Sequence, residues 1–355
     1  MDKGSNINLG FLDKNDTDFY GSKAANLGEL LNMGVPVPRG MVLTPNAQNY
    51  QYELARFFRP YGGNPAKELI VRSSGLAEDG DNSSYAGQHL TVPNCSIARF
   101  EELEQAITDC RASGVDAQAY RDAKHEEDKG IAVIIQTQIN ADYSGVLFTA
   151  DPINNDLNTM ICEWVNGMGN SLVSGEVNPD GSWEWQLGNT EPHNQTGGFD
   201  LDMIKCLHTY TQMILKRFRR PMDIEWVCKE TSIMIVQARP LTMDKQWGGA
   251  MAGTSACKGI VTGNSQWLDD EDTTTIKHFS EGDILLAYMT TPKMVPAMIK
   301  AQGFATAIGG RTCHAAIVAR ELNKPCVVNV RTLLAAPNNQ QVTIDGDAGT
   351  ITIHG

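Results

Sequence analysis

His314 stands within Gly309-Gly310-Arg311-Thr312-Cys313-His314-Ala315-Ala316-Ile317-Val318-Ala319-Arg320-Glu321. A neutral imidazole is nucleophilic near physiological pH, and its phosphoramidate gives up the phosphoryl group readily, so such a residue can carry a phosphoryl group temporarily. The small and apolar residues beyond His314 predict a helix, with the histidine at or just before its first turn. Free backbone N–H groups and the positive end of the helix dipole can hold phosphoryl oxygens there. Arg311 can offset added negative charge, and Thr312 and Cys313 lie beside it. Taken by itself, one histidine at such a place also reads as a helix cap or a satisfied core residue.

A second set of residues suits a polyanion and a cation. Asp223-Ile224-Glu225-Trp226 puts two carboxylates on one face of a strand, because side chains at i and i+2 point the same way. Side-by-side carboxylates are costly unless a cation or an arginine is near. Gln237-Ala238-Arg239-Pro240 repeats the alternation on a candidate neighbouring strand, with Gln237 and Arg239 on one face. A salt-bridge cluster at the surface is the other reading of the pair. Upstream lie Lys23 in Gly21-Ser22-Lys23-Ala24-Ala25-Asn26-Leu27, and Arg72 in Val71-Arg72-Ser73-Ser74. A loop follows through Ser83-Ser84-Tyr85-Ala86-Gly87-Gln88, of the glycine- and serine-rich kind whose backbone N–H groups cradle anions. Without further context, Lys23 reads rather as a solvated lysine at a helix start.

These residues need elements to hold them. A turn at Gly21-Ser22-Lys23, a helix over 24–33 and a strand over 40–43 are predicted from the apolar spacing and from Gly34-Val35-Pro36. Leu69 to Arg72 reads as a strand opening into a loop as far as Gly87. A helix is predicted over 100–127, and a central strand over 131–136, where the run is apolar on both faces. Further strands are predicted over 144–149, 159–164, 222–227 and 232–237, with a helix over 200–218. Residues 243–250 lack periodicity and read as a linker. Beyond them come glycine-punctuated strands over 253–267 and 283–287, a helix near 294–300, a Gly-Gly turn, a second helix and a β-rich end.

At 355 residues the chain suits two α/β domains, since single cores stop growing below roughly 250–300 residues. The expected division is 1–242, a linker over 243–250, and 251–355. The formal net charge of −13 argues against a nucleic-acid partner, whose binding relies on clustered Lys and Arg. No apolar run reaches the roughly 18–20 residues needed to span a bilayer, so no membrane association is expected. The polar start of the chain offers no secretion signal. Eight cysteines without Cys-x-x-Cys spacing suit reduced thiols, and the cytoplasm is the expected location.

The histidine segment resembles the phosphohistidine domain of the phosphoenolpyruvate synthase and pyruvate phosphate dikinase family, whose motif reads Gly-Gly-x-x-Ser/Cys-His-Ala-Ala-x-x-Ala-Arg. Thr290 to Met298 is similar to the family's stretch before the histidine loop. Gly21 to Leu27, Val71 to Ser74, Asp223 to Trp226 and Gln237 to Pro240 resemble motifs of the same family. The resemblance implies an ATP-grasp domain followed by a small swivelling β/β/α domain. It implies that Lys23, Arg72 and Arg239 lie at the nucleotide and that the loop Ser84, Tyr85, Ala86 and Gly87 covers its phosphates. It also places Gln136 and Gln138 at the adenine pocket, and Glu225 and Gln237, with Asp223, at Mg²⁺, a hard cation suited to oxygen ligands.

The implied activity is that of an ATP-dependent phosphotransferase of dikinase type, with His314, Arg72 and Lys23 as catalytic residues. It would load His314 from the β-phosphate of ATP, release AMP and phosphate, and pass the phosphoryl group to a small-molecule acceptor. The chain ends at Gly355, without the family's barrel for phosphoenolpyruvate or pyruvate, and so is not expected to act alone as an ordinary phosphoenolpyruvate synthase. A loading or carrier subunit, discharged on a separate acceptor-binding protein, is therefore a second reading, and a nucleotide sensor without turnover a third. Where many members have Gly-Leu-Gly-Glu, this chain has Gly167-Met168-Gly169-Asn170. The stretches 44–69 and 180–219 are also shorter than in typical members.

Overall fold

The computed structural model describes residues 4, 6–59, 68–76, 90–113, 130–154, 156–169, 177–186, 189–241, 250–269, 273–336 and 338–354. The expected phosphate loop at Ser84 to Gly87, and 243–249 of the expected linker, lie outside the described residues.

The mixed α/β class expected from the sequence is observed. A first sheet runs β1 (Asn6–Asn8), β2 (Gly40–Leu43), β5 (Ile131–Thr137), β3 (Leu69–Gly75), β4 (Thr91–Cys95) in spatial order. Its long strands are antiparallel, with Arg72 opposite Ile134. Helix α1 (Thr17–Asn32) packs against β3, β5 and the edge of the second sheet. Tyr20, Ala24, Leu27 and Leu30 line its fully buried stripe at helical spacing. The turn expected at Gly21-Ser22-Lys23 is instead a kink inside this longer helix, with Gly21 at φ +78°. The helix ends at Gly34, also at positive φ, where Val35 N–H bonds Leu30 O and Gly34 N–H bonds Leu31 O, each at 3.0 Å. That pairing satisfies carbonyls the helix would otherwise leave bare.

Helix α2 (Gln51–Phe57) buries little beyond Leu54, and α3 (Phe100–Ala112) covers the outer face of the first sheet through Leu103, Ala106, Ile107 and Cys110. The long helix expected over 100–127 is described only to Ala112.

The second sheet has the order β10 (Ser232–Pro240), β9 (Met222–Lys229), β6 (Tyr143–Phe148), β7 (Thr159–Asn166), β8 (Gly181–Gln186). Met222, Ile224, Trp226 and Cys228 pack into the cluster that includes Ile204, Leu207, Ile214 and Leu215 of helix α4 (Leu201–Phe218). Alternation along β9 therefore commits Asp223 and Glu225 to the other face. Asp200 caps α4, accepting from the N–H groups of Asp202 and Met203 at 2.9 and 3.1 Å.

The third sheet runs β11 (Ala250–Ala252), β18 (Thr350–Ile353), β17 (Gln341–Asp345), β13 (Ile260–Leu268), β14 (Ile284–Ala287), β15 (Gly303–Thr306), β16 (Cys326–Val328), β12 (Thr254–Cys257). Strands β13 to β16 are parallel at its centre. Around them lie α5 (Thr273–Lys277), α6 (Val295–Lys300) and α7 (His314–Leu322). Both segments that build the histidine site leave the carboxyl ends of β14 and β15, the edge where open parallel sheets carry function.

This sheet rests on the end of α4. The Arg219 guanidinium lies 4.3 Å from the centre of the Trp267 ring and 3.6 Å from the Asp269 carboxylate, and Lys216 Nζ lies 4.6 Å from the Tyr288 ring.

Candidate active site

Arg72 is the centre of the first cluster. It projects from β3 and is 8% exposed. Its Nη1 donates to Val236 O at 2.6 Å, and its Nη2 donates to Gln237 Oε1 at 3.0 Å and Glu225 Oε2 at 3.2 Å. The hairpin explains the convergence. Gln237 pairs with Glu225 across β10 and β9, so the amide and the carboxylate stand side by side. A bulge between Ile235 and Gln237 inserts Val236 as an extra residue, which turns its carbonyl out of the ladder toward Arg72. Arg72 Nε is buried with no hydrogen-bond partner among the described residues.

One pair further along the hairpin, Arg239 opposes Asp223 and donates to its Oδ2 at 2.8 Å. Asp223 Oδ1 is buried and has no hydrogen-bond partner among the described residues. Burial pushes the Asp223 carboxyl above the usual carboxylate range. The Arg239 charge opposes that shift and neighbouring Glu225 adds to it. Asp223 is therefore engaged by Arg239, while the side chains of Glu225 and Gln237 meet at Arg72. Among the described residues no group of three or more His, Cys, Asp and Glu side chains is placed to hold a metal.

Lys23 is brought to the same region by α1, and its Nζ donates to Ser73 O at 3.3 Å. The kink at Gly21 is what allows this close approach. Ser74 Oγ donates to Tyr20 O at 2.8 Å and accepts from Ala24 N–H at 3.2 Å, and a Cβ at Gly21 would meet Ser74 O and Gly75 O at 2.7 Å. Only glycine adopts that φ without strain and fits against β3. Asn26 of the same helix donates to Ala238 O at 2.9 Å, tying α1 to β10.

Gln136 and Gln138 stand apart from this cluster. Gln136 is buried and donates to Pro38 O at 3.0 Å. Gln138 exchanges two hydrogen bonds with Asn94: it accepts from the N–H at 2.7 Å and donates to Oδ1 at 2.8 Å.

His314 opens α7, with Cys313 as the extended residue before it. Its Nδ1 lies 2.8 Å from Thr290 Oγ1, and Thr290 is 5% exposed. The side chain of Arg311 points elsewhere than the core and is exposed, while its carbonyl accepts from Arg320 Nη1 at 2.9 Å. The helix buries Ala315, Ala316, Val318 and Ala319 against the sheet, so small residues bring its first turn close to β15 and β16.

Sequence reasoning did not assign Val236, Ser74 or Thr290 to the site. Val236 contributes only a carbonyl released by a bulge, which no side-chain pattern reports. Thr290 had a signal, a hydroxyl pair before Pro292 at the end of an apolar strand, where a loop is expected to carry function.

Residues 53–184 and 182–255 match the pyruvate phosphate dikinase AMP/ATP-binding domain, and residues 279–349 match the mobile domain of PEP-utilising enzymes. The chain belongs to the phosphoenolpyruvate synthase and pyruvate phosphate dikinase family. It is 30% identical to a probable phosphoenolpyruvate synthase of Archaeoglobus fulgidus over 97% of this chain and 57% of that protein. It is 29% identical to one of Methanothermobacter thermautotrophicus over 96% of this chain and 62% of that protein. It is 28% identical to the phosphoenolpyruvate synthase of Pyrococcus furiosus over 96% of this chain and 57% of that protein. It thus spans about three fifths of the length of these relatives. Arg72, Gln136, Asp223, Glu225, Gln237 and Arg239 fall in the AMP/ATP-binding match, and Thr290 and His314 in the mobile-domain match. No helix among the described residues is long and apolar enough to cross a membrane.

Proposed function

We propose that the protein is a dikinase-type phosphotransferase. It loads His314 from the β-phosphate of ATP, releases AMP and phosphate, and delivers the phosphoryl group to a small-molecule acceptor. The observation that carries this reading is the Thr290–His314 pair at the helix start, in the stretch that matches the mobile domain, whereas the Arg72 cluster falls in the AMP/ATP-binding match.

The reading requires the Nδ1 hydrogen to be donated to Thr290 Oγ1, 2.8 Å away, which leaves the lone pair and the nucleophile at Nε2. Nε2 attacks the β-phosphorus, the bond from that phosphorus to the α-bridging oxygen breaks, and the electron pair leaves on AMP. Positive charge on the ring is then shared with Nδ1–H, which Thr290 accepts. Water or phosphate removes the outer phosphoryl group, and the remaining phosphohistidine transfers to the acceptor. Arg72 and Lys23 stabilise phosphate charge during loading, the largest contribution to be expected in phosphoryl transfer.

Magnesium suits the Glu225–Gln237 pair. Their two oxygens, from adjacent strands, already converge on one cationic atom, Arg72 Nη2. When bound there, the ion neutralises phosphate charge. Because one ring cannot touch the nucleotide and a distant acceptor together, residues 251–355 move as a swivelling unit about the segment at 243–250.

The test is incubation of the wild type and His314→Ala with Mg²⁺ and ATP labelled at the β-phosphorus. The wild type is expected to retain label on His314 and release AMP. The variant should bind ATP and do neither. AMP release by the variant, or label retained only from the γ-position, overturns the reading.

A further inference from the structure

Glu225 Oε2 and Gln237 Oε1, two oxygens suited to a divalent cation, are both held by the Arg72 guanidinium. Nη2 takes Gln237 Oε1 at 3.0 Å and Glu225 Oε2 at 3.2 Å. A magnesium ion on the same oxygens sits about 2.1 Å from each, which forces a dication and a guanidinium nitrogen into near contact. Two cations that close, at a site where both side chains are nearly buried, repel strongly. A metal that takes these same two oxygens cannot share them with Arg72.

We propose that Arg72 and the divalent cation exchange on Glu225 and Gln237, so that metal entry releases the guanidinium, which then turns to the nucleotide phosphates. The inference rests on the proposed metal role of Glu225 and Gln237. Three features of the structure fit such an exchange. The guanidinium neutralises Glu225, whose buried charge would otherwise be costly. Its third contact, from Nη1 to Val236 O, is to a backbone carbonyl outside the ladder, which holds the side chain without fixing it to an ion. Its Nε has no hydrogen-bond partner among the described residues, a donor with capacity for an incoming anion. Metal and nucleotide then bind cooperatively: the metal takes the carboxylate, and the phosphates take the arginine.

The experiment measures Mn²⁺ binding without nucleotide by the electron paramagnetic resonance signal of free Mn²⁺. It compares the wild type, Arg72→Met, Arg72→Lys, Glu225→Ala and the Arg72→Met/Glu225→Ala double variant. Arg72→Met is expected to bind Mn²⁺ at least tenfold tighter than the wild type, and the double variant to lose that gain. Arg72→Lys, which lacks the Nη1 that anchors the side chain on Val236 O, should gain severalfold. It carries the test should the methionine variant fail to fold, as judged by its unfolding transition. An ATP analogue that cannot be cleaved should tighten Mn²⁺ binding in the wild type more than in Arg72→Met. Equal or weaker Mn²⁺ binding by both arginine variants overturns the exchange. If that occurs while Glu225→Ala weakens binding to the wild type, the metal assignment survives and only the exchange fails. If Glu225→Ala changes nothing in either background, the metal assignment itself fails.

Discussion

Replacing Thr290 by Val removes one hydroxyl while keeping nearly the same volume, and so isolates what the Thr290–His314 hydrogen bond does. The bond is 2.8 Å long and Thr290 is 5% exposed, so water is poorly placed to replace it. A net intramolecular hydrogen bond is worth about 0.5–1.5 kcal/mol. If that energy is realised in holding the Nδ1–H tautomer and in accepting from the ring as it gains charge, losing it slows attack by about two- to twelvefold. The assay is rapid-quench labelling of His314 in a single turnover with ATP labelled at the β-phosphorus, together with nitrogen NMR of the imidazole to read the tautomer. Thr290→Val should show slower labelling, unchanged ATP affinity and a larger share of the Nε2–H tautomer. Thr290→Ser should restore both. An unchanged tautomer ratio with slow labelling, or a serine variant no better than valine, refutes the argument and leaves Thr290 a packing residue.

Gly21→Ala should lower the unfolding midpoint and weaken ATP binding. The added methyl meets the Ser74 and Gly75 carbonyls at 2.7 Å and sits at φ +78°, a cost of about 1–3 kcal/mol that a thermal melt with and without nucleotide would register. His208 is stacked on Trp185 at 3.9 Å, and burial lowers its pKa from the ordinary 6.5 to about 4. The unfolded chain then takes up a proton that the folded chain refuses, so stability is lost as pH falls from about 6.5 toward 4. His208→Phe should flatten that part of the denaturation profile measured between pH 7 and 4, and an unchanged slope would assign it to other groups. Glu225→Gln and Gln237→Ala should each slow the loading of His314 in the presence of Mg²⁺; normal loading with failure only in transfer to an acceptor would remove this pair from the metal.

Much of the fold was legible because strand and helix periodicities are local. The runs at 131–136, 222–227 and 232–237 became β5, β9 and β10, and the helix over 200–218 became α4. Elements with little buried surface escaped notice: α2 buries chiefly Leu54, and β4 carries Pro93 and Asn94, residues poorly suited to strands. The expected turn at Gly21 was read from its glycine, whereas tertiary packing of Tyr20 and Ala24 on the same face extends the helix through it.

What the sequence alone determined is what covalent geometry dictates over a few residues. Side chains two apart on a strand share a face, so Asp223 with Glu225, and Gln237 with Arg239, could be paired without coordinates. The residues after His314 could be read as a helix whose first turn holds the ring. Only the tertiary structure decided which partners meet. Arg72 reaches Glu225 across 153 residues of chain, Thr290 reaches His314 across 24, and Val236 presents a carbonyl solely because the β9–β10 ladder slips by one residue. Register, bulges and long-range contacts depend on the summed packing of whole sheets, and that sum is not written in any short stretch of the chain.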